Sequence, residues 1–508
     1  MPTKKQIPVG QFQQWVWQDR RVRIYLISTI AFSILAFIWF KSRYPYPNFL
    51  PDSYSYLEAA FNNKTINIWP IGYSKFLRLF SSFTRWDTAQ IFIQYALLEA
   101  STVYFVLTVF YLLSPGKWAS HLIFVCCIAN PLSLCVSNFI SSDALFASLS
   151  LIWLTQILWI LNNPNKRLMI IHGVVLVLAF MVRYNALFYP IISLILIGSA
   201  RMKKSHKMIG IASIVFFLGG FIGINLLQFK QLTGKAQFSP FGGWQLASNA
   251  LFAYAHSARD PVQAVPERFK VLHTLVNRHM DSVSRLPYRP DSQLGIYYLW
   301  DEHAPLKQYL YVKWKGDTLT DDFKKWASMG PLYSAYGSWL MKRHPIDFAK
   351  YFLWPNMVNY YVPNTEFLGL NNMGSDSVQD MAKFWFHYKS SKITIRSKEI
   401  GLAEVYPILL AVVNLLFVLS FLGFLILGGF KKASYFFTRT LLWFSFIWLS
   451  NFTFSVFASP IVMRYQVFPL TITLVWLVML MEFLIRENSL QKHDLNTLRD
   501  HVKHISVE

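Results

Sequence analysis

Apolar runs of membrane-spanning length recur along this chain, and they decide where its backbone can go. Arg23 to Phe40, Ala403 to Leu427 and Val467 to Ile485 are each long enough, as a helix, to cross roughly 30 Å of hydrocarbon. No water satisfies a peptide group in that layer, so each run must be a helix that bonds its own backbone. Composition agrees, because with 54% hydrophobic, 17% aromatic and only 15% charged residues in 508 the chain is too apolar for a soluble protein. The net charge of +22 therefore does not point to nucleic acid. Lys and Arg cluster in short loops between the apolar runs, where they set topology. Cys126, Cys127 and Cys135 share one apolar stretch and offer neither a disulfide framework nor metal-ligand spacing. The first apolar run follows a basic leader and lacks a small-residue cleavage site, so it is expected to be retained as an anchor.

Spans are predicted at 23–40, 88–113, 118–137, 143–161, 168–183, 186–200, 208–228, 403–428, 440–458 and 466–486, roughly ten in all. The basic clusters Lys4 to Arg23, Lys166-Arg167, Arg201 to Lys207 and Lys431 to Arg439 then fall on one side, which places both termini in the cytoplasm. A bacterial plasma membrane is the expected location. Reading 168–200 as two short spans meeting at Arg183-Tyr184-Asn185 keeps 201–207 inside, whereas one long helix would put it outside. The expected fold is an all-α polytopic membrane protein. Its parts are an N-terminal transmembrane module (1–228) with amphipathic helices in the first external loop (41–87), a mostly helical extracytoplasmic segment (229–402), C-terminal spans (403–486) and a cytoplasmic tail (487–508). The segment 229–402 is rich in Trp and Tyr, as befits half-wet interfacial helices, and its many prolines argue against long ones. No internal repeat is seen, which counts against an inverted-repeat transporter.

The polar residues at the ends of these spans are the chemical candidates. Asp52 is the lone acid of Pro51-Asp52-Ser53-Tyr54-Ser55-Tyr56, just outside the first span; it is placed to act as a base, and its position also suits a helix N-cap. Asp143, after Ser141-Ser142, could orient an acceptor, help hold a divalent metal, or cap its own span. Arg183 and Arg464 lie at predicted outer ends of spans, followed by Tyr184 and Tyr465, and offer guanidinium forks with neighbouring hydroxyls to a phosphate. Interfacial snorkelling is the blander account of both. Glu58 is an alternative base or a solvated side chain, Glu99 is expected to be a paired core glutamate, and Lys41 and Arg43 add positive field or serve as anchors. His501 and His504 have helical spacing but no third ligand. No phosphate loop, dinucleotide fingerprint, Asp-x-Asp motif or nucleophile elbow is present, and a lipid-phosphate donor needs none of them.

In order, Pro51-Asp-Ser-Tyr-Ser-Tyr-Leu57, Trp69-Pro-Ile-Gly-Tyr73, Asn130-Pro131 ahead of Ser141-Ser-Asp-Ala-Leu-Phe146, Val182-Arg-Tyr-Asn185 and Met463-Arg-Tyr-Gln-Val-Phe-Pro469 resemble the GT-C superfamily of integral membrane glycosyltransferases. That superfamily includes the protein O-mannosyltransferases and the lipid A aminoarabinose transferases. The O-mannosyltransferase pattern has a second acid directly after the loop acid, where this chain has Ser53. The resemblance implies a polyprenyl-phosphate sugar donor, a lipid, glycan or protein acceptor, Asp52 and Asp143 as catalytic acids, and substrate contacts from Arg183, Tyr184, Arg464, Tyr465, Tyr54 and Tyr73. It implies no certain cofactor; a divalent metal at Asp143 stays open. A polymerase or ligase using lipid-diphosphate glycans is the alternative enzyme, and a lipid or solute transporter the alternative of another class.

Overall fold

The computed structural model describes residues 9–505, with side chains described for 11–489. Among them, eight helices are long and apolar enough to cross a membrane: Arg20–Arg43, Asp87–Leu113, Lys117–Ser137, Asp143–Asn162, Lys204–Thr233, Gly401–Ile426, Tyr435–Ala458 and Val467–Ser489. The chain is an all-α, multi-pass integral membrane protein. Asp143–Asn162 lies at the centre of the bundle, with 78% of its apolar window buried, whereas Arg20–Arg43 and Tyr435–Ala458 bury only 22% and present apolar side chains outward.

The other two expected spans are shorter. Lys166–Val182 is a helix of 17 residues, followed by the apolar segment Tyr184–Ser199. They form a hairpin, because His172 Nε2 lies 2.9 Å from Ser193 Oγ. One straight helix would hold those positions about 30 Å apart, at roughly 1.5 Å per residue. The chain turns where Arg183 becomes extended, at φ −151° and ψ 137°, and Pro190 then starts the returning helix, where its missing N–H costs nothing. The expected span 118–137 is likewise interrupted. Asn130 leaves the helix and caps the next one, Pro131–Ser137, accepting from the Leu132 N–H at 3.1 Å. At the C-terminus the last span runs on as one helix, Val467–Ile505, through most of the segment expected as a cytoplasmic tail. The side chains of His501 and His504 lie outside the described residues.

The segment 229–402 builds a second apolar core around Trp244, Tyr333, Tyr336 and Phe252. Its prolines do not prevent a long helix, since Asp322–Arg343 spans 22 residues with Pro331 inside. Proline leaves the carbonyl four residues earlier without a donor; here Gln237 Nε2 donates to Ala327 O at 3.0 Å instead. This helix crosses Pro240–Tyr254 almost backbone to backbone. A Cβ on Gly243 would lie 2.0 Å from the Gly330 carbonyl oxygen, so the crossing needs glycine there.

Two isolated β-bridges align the parts that meet between the cores. Asn48 pairs with Phe139, its N–H bonding Asn138 O at 2.8 Å and its carbonyl accepting from Ile140 at 3.0 Å. The helix Pro51–Phe61 therefore begins beside the start of Asp143–Asn162. Asn364 pairs with Val462, with Met463 N–H on Asn364 O at 2.9 Å, which sets Glu366 beside Arg464.

Candidate functional site

A cavity of about 1150 Å3 opens between the membrane bundle and the segment 229–402, and Asp52, Tyr56, Arg183, Glu366, Arg464 and Tyr465 are all on its wall. Asp52 is the second residue of Pro51–Phe61. It is not the cap of that helix. Ser53 does that work, accepting from the Leu50 N–H at 2.9 Å while its own N–H bonds Leu50 O at 2.9 Å. Among the described residues nothing hydrogen-bonds or ion-pairs with the Asp52 carboxylate, which is half-buried on the cavity wall. Burial pushes its pKa above the ordinary aspartate value, and the charges of Arg464 and Arg183 pull it part of the way back. One turn on, Tyr56 is buried with its hydroxyl 3.2 Å from Ser142 Oγ. Burial, reinforced by Asp52, pushes that hydroxyl up to about 12, so it stays protonated.

Asp143 is held differently. It opens its helix after Ser142, which occupies the cap position, so Asp143 is no cap either. Ser141 Oγ donates to Oδ2 at 2.9 Å, Arg464 Nη1 approaches the same oxygen at 3.3 Å, and Arg183 Nη1 pairs with Oδ1. The two guanidiniums share the ring of Tyr465, at 4.3 Å for Arg183 and 4.9 Å for Arg464. Arg464 also faces Glu366, Nε to Oε2 at 3.6 Å. Glu366 takes a left-handed backbone, φ 47°, to reach it. Burial first, and then the Asp52 charge, raise the Glu366 carboxyl above its ordinary range, against the pull of Arg464. The result is two cations gathered by one buried carboxylate at the cavity wall. Each guanidinium has five N–H donors, more than these partners occupy, so the pair is suited to an anion with several oxygens.

The remaining candidates separate. Tyr184 is on the cavity wall, its ring 4.7 Å from Phe238 and its hydroxyl accepting from Asn225 at 3.4 Å. Tyr54 and Tyr73 do not reach the wall. Tyr54 stacks on Phe49 at 5.7 Å, and Tyr73 is a core side chain whose hydroxyl donates to Gln94 Oε1 at 2.6 Å while its ring supports Tyr56 at 4.9 Å. Glu58 is ion-paired with Lys64 at 2.6 Å, away from the cavity. Lys41 donates to Asn138 Oδ1 at 3.1 Å, and Arg43 lies over Trp39. Glu99 is buried and, among the described residues, has no ion-pair partner, contrary to the paired glutamate expected. Among the described residues no group of three or more His, Cys, Asp or Glu is arranged for a metal. Both oxygens of Asp143 face guanidiniums, surroundings that fit an anion and not a divalent cation. Sequence reasoning missed Glu366, which carries no motif, and Tyr56, which the spacing of four residues from Asp52 on one helix could have revealed.

Fold and site together define a multi-pass membrane protein with an arginine-lined cavity set between its bundle and the helical segment 229–402. No family model matches the chain, and no curated protein matches it in sequence. Among solved structures it is similar to the crystal structure of ArnT from Cupriavidus metallidurans bound to undecaprenyl phosphate; 10% of residues are identical, the likeness covers 90% of this chain and 77% of that one, and the TM-score is 0.32.

Proposed function

We propose that the chain is a GT-C-type glycosyltransferase that moves a monosaccharide from a polyprenyl phosphate to an extracytoplasmic acceptor with inversion at the anomeric carbon. The observation that carries this is the contrast within one cavity of a carboxylate with no partner among the described residues, Asp52, and a pair of arginines, Arg183 and Arg464, gathered by Asp143. Single displacement needs both. The acceptor hydroxyl gives its proton to Asp52 as its oxygen attacks the anomeric carbon. The bond from that carbon to the phosphate oxygen breaks, and the electron pair leaves with the phosphate. The two guanidiniums stabilise the charge that develops there, in a site where burial strengthens every such contact. Asp143 is a positioning residue, because it holds both forks by their partial neutralisation. The segment 229–402 closes the cavity from outside the membrane. Incubating the purified chain with a panel of polyprenyl-phosphate sugars tests this. Release of polyprenyl phosphate from one of them is expected, and release from none would contradict the proposal.

A further inference from the structure

We propose that the aromatic part of the cavity wall, Trp69, Phe241 and Trp300, is a subsite for a sugar ring, so that the acceptor nucleophile is a carbohydrate hydroxyl. This rests on the glycosyl-transfer reading above. Three aromatic side chains from separate parts of the chain meet there: Trp69 from the first external loop, Phe241 and Trp300 from the segment 229–402. Ring centroids of Trp69 lie 4.8 Å from Phe241 and 5.9 Å from Trp300, and all three rings are only partly buried because they face the cavity. Trp69 also touches Tyr56, at 6.4 Å, and Tyr56 is one turn from Asp52 on the same helix. The helix that carries Asp52 thus also carries Tyr56, whose ring reaches the aromatic group.

The chemistry of this part of the wall is mixed in the way a sugar requires. An aromatic face is negative and attracts the weakly positive C–H face of a pyranose, while the hydroxyls at the ring edge need polar partners. Gln245 is on the wall with its amide nitrogen bonded to Asn249 Oδ1 at 2.8 Å, and among the described residues its own Oε1 accepts no hydrogen bond. His256, stacked on Tyr351 at 4.5 Å, is on the wall as well. The loop that carries Ser292 and Gln293 is pinned by a buried fork, Arg289 to Asp291 at 2.8 and 2.9 Å, with Tyr298 donating to the same carboxylate at 2.6 Å. An acyl chain would leave these polar groups without partners. The cavity, at about 1150 Å3, lies just above the roughly 300–1,000 Å3 that enclose one small ligand.

The test uses the purified full-length chain, membranes of the source organism and a panel of radiolabelled polyprenyl-phosphate monosaccharides, with products separated by organic extraction, protease and glycosidase. Label on a saccharide is expected, and extraction then tells a glycolipid headgroup from a free or polymeric glycan. Label on a protein side chain or on a lipid without sugar would overturn the inference while leaving glycosyl transfer intact. Absence of polyprenyl phosphate release would remove the parent reading and the subsite with it. In the same assay Trp69→Leu should raise the KM for the labelled saccharide acceptor about tenfold, with donor KM unchanged, and Trp69→Phe should restore most of it. Equal acceptor KM for wild type and Trp69→Leu, in protein that still binds donor, would also overturn the inference.

Discussion

Two helices begin at this cavity with an aspartate in their first turn, and their surroundings treat the two acids in opposite ways. At the start of Asp143–Asn162 the carboxylate is enclosed by Arg183, Arg464 and Ser141, with its side chain 2% exposed. At the start of Pro51–Phe61 the Asp52 carboxylate has no partner among the described residues and is open to the cavity. An acid whose charge is already matched can hold its partners in place, but it makes a weak proton acceptor. An acid removed from bulk water with no direct partner has its pKa raised above the ordinary aspartate value, the more distant arginines opposing the shift only in part. The same residue type at the same place in a helix thus takes two roles, and the two arginines decide which.

Substitution separates the two roles most widely at Asp52. Asp52→Asn should lower turnover by about two to four orders of magnitude, the usual contribution of a positioned base. Because Ser53 and not Asp52 caps the helix, stability should change by no more than about 0.5 kcal/mol; thermal unfolding and polyprenyl phosphate release, measured on one purified sample, check both. Asp143→Ala should do the reverse in stability, losing roughly 3–5 kcal/mol because two partly buried guanidiniums are left without their shared carboxylate. Unchanged thermal stability of that variant would break the comparison. Next in size come Arg183→Ala and Arg464→Ala, each expected to weaken donor use about ten- to a hundredfold, as for loss of charge-assisted hydrogen bonds, with Lys recovering only part because it lacks the fork. Equal, near-normal donor KM in both Ala variants would leave the arginines as anchors.

The smallest effect is one of pH. Protonating Asp52 removes the base, so kcat/KM should fall as pH drops through a pKa above the usual aspartate value of about 3.9. Arg464 lowers that pKa, so Arg464→Gln should move the acid limb to higher pH, and Arg464→Lys should move it less. An acid limb that does not respond to Arg464 belongs to another group.

Hydropathy made the bundle legible, because a peptide group in hydrocarbon has few choices. It also placed the turn at Arg183, since the basic cluster at 201–207 demanded an even number of crossings. What it could not show was pairing across long stretches of chain. The bridge of Asn364 to Val462 brings Glu366 to Arg464, and nothing local to Glu366 marks it. The helix through Pro331 was hidden for a similar reason, as its missing donor is replaced by Gln237, far away in sequence. Asp52, Asp143, Arg183 and Arg464 were singled out as polar residues at the ends of apolar runs; Asp52, Arg183 and Arg464 share the cavity wall, and Asp143 pairs with both arginines. Tyr54 and Tyr73 were chosen from neighbouring motifs, but the pitch of their helices turns the first towards Phe49 and the second into the core. Tyr56, on the face shared with Asp52, is the one of the three that lines the cavity.

The central claim is that Arg183 and Arg464 receive the phosphate of a polyprenyl donor while Asp52 faces the bond to be broken. A cryo-electron microscopy structure of the full chain with a polyprenyl phosphate bound tests it directly. The account predicts phosphate oxygens about 2.7–2.9 Å from nitrogens of both guanidiniums, with the Asp52 carboxylate across the cavity and not in contact with the phosphate. A phosphate seated away from both arginines, or lying directly against Asp52, would contradict it.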